Sequence, residues 1–185
     1  MFTVIFKNNA GEALTTMHTK NEGAEFPPLN GGMPAPGEFP AGAVKSAVLP
    51  TGYAGRIAFA QKGKVIDGWE SLIEYSLITD KGLGFAPGDI DVSYVDGFTY
   101  PIVCNCKGVR LSGCPVNLWK GGAQCPELST QGACKNPHRM KKDITYADPW
   151  FKRCEHQAYT YSTDDAANSN GQCQSGTVEC IISPK

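Results

Sequence analysis

The chain has 185 residues, 41% of them hydrophobic, with 17 basic against 18 acidic side chains and a net charge of −1. That length can bury about 70% of the unfolded surface in a single domain, and so balanced a charge supplies no field to draw the protein onto nucleic acid or an anionic membrane. No apolar run approaches the roughly 20 residues of a membrane-spanning helix, so any charge-based function must be local.

In chain order, FTVIF at 2–6 reads as a strand rather than the core of a signal peptide. Residues 26–42, FPPLNGGMPAPGEFPAG, hold five prolines and four glycines and should form a surface loop. Further strands are expected at AVKSAVL (43–49), GRIAFAQ (55–61), KVI (64–66), SLIEYSL (71–77) and DIDVSYV (89–95). Short strands punctuated by Gly and Pro predict an all-β sandwich or barrel.

In SLIEYSL the period of two sets Leu72, Glu74 and Ser76 on one face; in DIDVSYV it sets Asp89, Asp91, Ser93 and Val95 on one face. If the two strands pair across the glycine-rich TDKGLGFAPG, Glu74 and Asp91 can look into one cleft. Asp has low strand propensity, so its recurrence within a strand asks for a reason. Asp96-Gly97 marks a turn, where an aspartate often bonds only its own backbone. Grouped carboxyls of this kind suit glycoside hydrolysis, in which one protonated group donates to the leaving oxygen and an ionised partner acts opposite.

Beyond Tyr100 the texture changes. All eight cysteines lie between Cys104 and Cys180, an even number that favours disulfides and a secreted protein. Zinc is the competing use, through Cys104, Cys106, His138 or His156, but the spacings lack the paired C-x2-C pattern. A loop-rich lobe stapled by bridges is expected here. TYADPWFKRC at 145–154 is the one short helix expected, with Asp148 as cap and Pro149 at its first position. The RMKK run at 139–142 reads as a solvated face.

SLIEYSL resembles the Thr-Leu-Ala-Glu-Phe/Tyr strand of the thaumatin-like (pathogenesis-related group 5) family. DIDVSYVDGFTYP resembles that family's Asp-Ile/Val-Ser-Leu-Val-Asp-Gly-Phe-Asn-Xaa-Pro signature. YADPWFKRCEHQAYTYSTDD at 146–165 is similar to its Tyr-Ser-x-x-Phe-Lys-x-x-Cys-Pro-x-Ala-Tyr-Ser-Tyr-x-x-Asp-Asp, and CKGVRLSGCPVNLWKGGAQC at 106–125 adds a fourth match, all in family order.

The resemblance implies a flattened antiparallel β-sandwich, a disulfide-rich lobe and an acidic cleft between them. It implies one domain, with the lobe over 104–169 beside a core of 1–103 and 170–185. In many members one Arg, one Glu and three Asp line this cleft, which is associated with β-1,3-glucan binding or weak endo-β-1,3-glucanase activity. Carried over by motif, Glu74 is the proton donor and Asp91 the base or nucleophile, while Asp96 and Asp164 tune and bind. Ala60 falls at the family's arginine position, and Arg56, four residues earlier on the same strand face, can stand in for it. Tyr94, Phe98, Tyr100 and Trp119 are candidates to stack on sugar rings.

A Cys114–Cys125 bridge is implied by the family, and Cys104 or Cys106 is expected to pair with Cys154 or Cys173. Asn9-Ala10 and Ser183 stand where the family has cysteines, and the cysteine-rich insertion before the glutamate strand is absent, which suits a compact microbial or fungal-type member. The expectation is a secreted monomer that takes cell-wall polysaccharide, with no metal, no cofactor, no nucleic acid and no membrane span. Whether it cuts glucan or only binds it stays open, beside a non-enzymatic antifungal or effector-type interaction protein.

Overall fold

The computed structural model describes residues 2–22, 29–30, 37–77 and 88–185. Most of the proline-rich loop at 26–42 and of TDKGLGFAPG lies outside the described residues.

The strands are β1 (Phe2–Asn8), β2 (Leu14–Lys20), β3 (Leu29–Asn30), β4 (Gly37–Phe39), β5 (Val44–Leu49), β6 (Ala54–Gln61) and β7 (Ser71–Ser76). They continue with β8 (Asp89–Ser93), β9 (Gly97–Phe98), β10 (Ile102–Cys106), β11 (Val109–Cys114), β12 (Cys134–Lys135) and β13 (Thr177–Ile182). A six-stranded sheet runs β11-β10-β13-β1-β5-β3, a five-stranded sheet runs β4-β2-β6-β7-β8, and β12 pairs with β9. The fold is all-β, as the sequence pattern predicts. One pairing departs from a purely antiparallel sandwich: β1 and β13 run parallel, with Val4 opposite Val178 and Phe6 opposite Cys180. Nearly the whole chain separates these two strands, ample length for the crossover a parallel pair requires.

Alternation explains the layering. Phe2, Val4 and Phe6 of β1 meet Ile57 and Phe59 of β6, Ile73 and Tyr75 of β7, and Ile90 and Val92 of β8 in one buried core. At the end of β1 the buried Asn8 is fully engaged, its amide donating to the carbonyls of Glu12, Phe39 and Pro40 while its Oδ1 accepts from the Ala10 N–H. On β2 the inward positions are Leu14, Thr16 and His18, all buried. His18 bonds the Tyr53 hydroxyl and stacks on Tyr75 at 5.8 Å, and burial pushes its pKa down to about 4. Such polar inward residues hide this strand from a hydrophobicity pattern. KVI at 64–66 forms no strand; it lies in the irregular link between β6 and β7.

β10 and β11 belong to the large sheet, so the irregular lobe begins after Cys114 rather than at Cys104. Among the described residues this lobe contains 3-10 turns at Leu118–Lys120, Lys152–Cys154 and Asp165–Ala167, and no α-helix. The expected helix at 145–154 is replaced by a turn in which the Asp148 carboxylate accepts from the Trp150 N–H, leaving room for only one 3-10 segment.

The lobe is fastened to the sandwich by aromatic packing and disulfides. Phe98 meets Tyr94 at 4.9 Å and Trp150 at 5.6 Å, and Trp150 meets Trp119 at 5.3 Å. Gly97 allows the two parts to close: a Cβ there would lie 2.3 Å from the Trp69 carbonyl oxygen and 2.5 Å from that of Cys134.

The bridges are Cys104–Cys180, Cys106–Cys173, Cys114–Cys154 and Cys125–Cys134. The family-implied Cys114–Cys125 pairing is therefore incorrect. Cys114 ends an edge strand against the 151–154 turn, whereas Cys125 faces β12 across a short loop. Cys106–Cys173 is one of the expected alternatives. Cys104 and Cys180 are direct cross-strand neighbours on β10 and β13. No free cysteine remains, which leaves no thiolate for zinc. Four disulfides fit an oxidising, extracellular compartment.

Candidate functional site

On the outer face of the five-stranded sheet the registers of β2, β6, β7 and β8 align Thr19, Arg56, Glu74 and Asp91 in a single row. Arg56 is opposite Glu74, and Glu74 is opposite Asp91, so their Cβ atoms are about 4.5–5.5 Å apart. One step along, Ser76 faces Asp89; one step the other way, Leu72 faces Ser93. The alternation in SLIEYSL and DIDVSYV thus predicts the face correctly, and the two strands do pair.

This row floors a cleft of about 550 Å³. Tyr159, Ser162 and Asn168 of the lobe form one wall, with Thr19 and Asn21 across from them. The wall is continuous with the sheet: the Tyr159 N–H donates to the Val92 carbonyl and the Tyr94 N–H to the Tyr159 carbonyl, a parallel bridge that extends β8.

Burial raises the proton affinity of Glu74, and the Asp96 and Asp89 charges add to the rise; the Ser93 hydrogen bond and the Arg56 guanidinium partly oppose it. Asp91 is only 7% exposed. Burial first, and then the adjacent Asp89 carboxyl, push its pKa up to about 8, against the Ser169 hydrogen bond. Asp89 and Asp91 stand two residues apart on one face of β8, so their carboxyls are neighbours. Asn168 holds them together: its amide nitrogen lies 3.2 Å from Asp89 Oδ2, 3.4 Å from Asp91 Oδ2 and 3.0 Å from the Tyr159 hydroxyl. The Ser169 N–H donates to Asp91 Oδ1 at 2.9 Å, and the Ser169 hydroxyl to the Ile90 carbonyl.

Asp96 is not among the described residues that line the cleft, and it connects to them through Arg56. Its carboxylate takes Arg139 Nε at 2.8 Å on one oxygen and Arg56 Nη1 at 3.6 Å on the other, so it is an ion-pair hub rather than a simple turn residue. Arg139 also lies over the Trp69 ring at 4.3 Å. The RMKK run is therefore only partly a solvated face: Met140, Lys141 and Lys142 are exposed, while Arg139 turns back to pair with Asp96.

Asp164 does not face the cleft. Its carboxylate is 1% exposed and accepts from the His156 N–H and Nδ1 and from the Thr160 hydroxyl. Tyr94, Phe98 and Tyr100 are each 0% exposed and present no ring to a sugar. Tyr94 instead accepts the Ile102 N–H with its hydroxyl at 2.9 Å. Trp119, partly buried, donates its indole N–H to the Thr99 carbonyl. Among the described residues Tyr75 and Tyr159 line the cleft; Tyr75 is buried, and Tyr159, on the wall, is one the sequence pattern did not single out as a site residue. Asp89 carried a signal, its alternation with Asp91; Asn168 carried none.

No group of three or more His, Cys, Asp or Glu among the described residues has the arrangement of a metal site. No described helix is long and apolar enough to cross a membrane.

No family model matches the chain. It is 34% identical over 106 residues to the pathogenesis-related 5 protein Cup a 3 of Hesperocyparis arizonica, covering 50% of this chain and 52% of that protein. It is 31% identical over 126 residues to the pathogenesis-related thaumatin-like protein 3.7 of Cryptomeria japonica, covering 60% of this chain and 52% of that one. These relatives support the thaumatin-like family. Both are plant proteins, and the chain spans about half the length of the curated relatives it matches. The all-β sandwich with its four disulfides fits a thaumatin-like fold.

Proposed function

We propose that the protein is a secreted, pathogenesis-related, antifungal-type protein that binds β-1,3-glucan or a related cell-wall polysaccharide in the acidic cleft. The observation that carries this is the Arg56, Glu74, Asp91 row flooring the cleft beside Tyr159. A neutral polysaccharide offers many hydroxyls, and such a surface offers both acceptors and a donor within one sugar's width. Arg56 is 45% exposed, in register with Glu74, and supplies the guanidinium that Ala60 cannot. Tyr159 supplies an aromatic surface on the wall. The absent cysteine-rich insertion is what supports a compact microbial or fungal-type member.

Binding is favoured over cutting by the state of Asp91. A nucleophile or base should be ionised and accessible, whereas Asp91 is buried, has its proton affinity raised by that burial and spends its oxygens on Asn168 and Ser169. Weak endo-β-1,3-glucanase activity is the second reading, because Glu74 has the raised proton affinity that a general acid requires.

The experiment is pull-down on insoluble β-1,3-glucan together with reducing-end release from laminarin, for the wild type and Glu74→Gln. Retention by wild type with no sugar release supports binding alone. Release that Glu74→Gln abolishes supports hydrolysis. Neither retention nor release removes the carbohydrate reading and leaves a non-enzymatic interaction protein.

A further inference from the structure

Asp164 is a buried carboxylate whose surroundings are all supplied locally. His156 approaches it twice, through its backbone N–H at 3.1 Å from Oδ2 and through Nδ1 at 2.7 Å from Oδ1. To do so His156 adopts φ 65°, one of two positive values among the described non-glycine residues. Its side chain is 56% exposed, and the far nitrogen lies 3.9 Å from the Glu155 carboxylate. The motif resemblance makes the position notable: this chain has Cys-Glu-His-Gln-Ala-Tyr where the similar stretch reads Cys-Pro-x-Ala-Tyr, one residue fewer.

The consequence runs along the chain toward the cleft. Asp164 precedes the 3-10 turn Asp165–Ala167 and receives the Ala167 N–H on its carbonyl; the Asn168 N–H then returns to the Asp165 carbonyl. The next two residues are Asn168 and Ser169, which bond Asp89 and Asp91. One tight turn thus separates the carboxylate gripped by His156 from the amides that hold the paired carboxyls of the cleft floor.

We propose that His156 is a positioning residue for the cleft: by bonding Asp164 it fixes the 164–169 turn, and through Asn168 and Ser169 it sets the placement of Asp89 and Asp91 on which ligand affinity depends. The affinity part rests on the polysaccharide reading above; the positioning part does not. His156 itself touches neither Asp89 nor Asp91. Loss of the imidazole leaves a buried carboxylate short of one charge-assisted hydrogen bond, which destabilises the turn locally while the sheets remain paired.

The test uses His156→Ala, His156→Gly and His156→Asn, with hydrogen exchange at the Ala167, Asn168 and Ser169 amides and affinity for a soluble β-1,3-glucan oligosaccharide. Alanine removes the donor, and glycine removes it while relieving the backbone conformation. Asparagine keeps a donor near the Nδ1 position and tolerates positive φ. The expected result is about tenfold faster exchange at the three amides and about tenfold weaker binding in both Ala and Gly variants, with β1 and β13 amides unchanged and both effects reversed in His156→Asn. Unchanged exchange in His156→Ala, or failure of His156→Asn to restore it, overturns the proposal. If the wild type binds no glucan, the functional reading fails and exchange alone decides the positioning role.

Discussion

Glu74 and Asp91 stand directly opposite one another on antiparallel β7 and β8, and Arg56 faces Glu74 from β6 on its other side. Two carboxyls and a guanidinium in one row form an electrostatic unit. The cation limits a rise in Glu74 proton affinity that burial and the neighbouring aspartates would otherwise drive further.

Arg56→Gln should therefore raise the Glu74 pKa further, as read by carboxyl-carbon NMR titration. Because the Arg56 contact to Asp96 is at 3.6 Å and half exposed, and Arg139 keeps Asp96 paired, global stability should change by less than about 1 kcal/mol. Affinity for glucan should fall by a similar free energy, about 1 kcal/mol.

Asp91 gives a pH dependence with a definite sign. Its folded-state pKa lies near 8, above the ordinary aspartate value of 3.8, so between those limits the native state binds more protons than the unfolded chain. Stability must then fall as pH rises through that window. Asp91→Asn keeps an acceptor for the Ser169 N–H and removes the buried ionisable group. Urea unfolding should show Asp91→Asn more stable than wild type by about 1–3 kcal/mol at pH 8, with the advantage vanishing near pH 4.

The disulfide pairing is directly measurable. Non-reducing peptide mapping should recover Cys125 linked to Cys134 and Cys114 linked to Cys154. Replacing Cys125 and Cys134 together by serine opens a loop with a sequence separation of 9 and should cost about 3 kcal/mol in the chain-entropy account.

Tyr94 separates a structural aromatic from a sugar platform. Tyr94→Phe removes the acceptor of the buried Ile102 N–H and should cost about 1–3 kcal/mol in unfolding free energy. Glucan affinity should stay within twofold of wild type, because the ring has no exposed face.

Much of the cleft was legible because the strands that build it alternate. Glu74, Asp89 and Asp91 occupy positions of one parity in SLIEYSL and DIDVSYV, so their shared face follows from the period of two alone. β2 was not legible, since its inward residues include Thr16 and His18, which bury through hydrogen bonds and ring stacking rather than through apolar character. Cysteine pairing was only partly legible: eight cysteines allow 105 connectivities, and Cys114 meets Cys154 only once the lobe has folded back. Asp164 matched its motif, but the local sequence could not tell that His156 would turn back and draw its carboxylate inward. The expected helix failed for a similar reason, since Asp148 caps a turn that the following residues do not extend.

Whether sugar occupies the cleft is read by mapping where a β-1,3-glucan hexasaccharide perturbs backbone amide chemical shifts of the disulfide-bonded protein. Perturbations should cluster at Thr19, Arg56, Glu74, Asp91, Tyr159 and Asn168. Perturbations confined to the six-stranded sheet, around Ile5, Thr177 and Glu179, or none at saturating sugar, would rule out binding in the cleft.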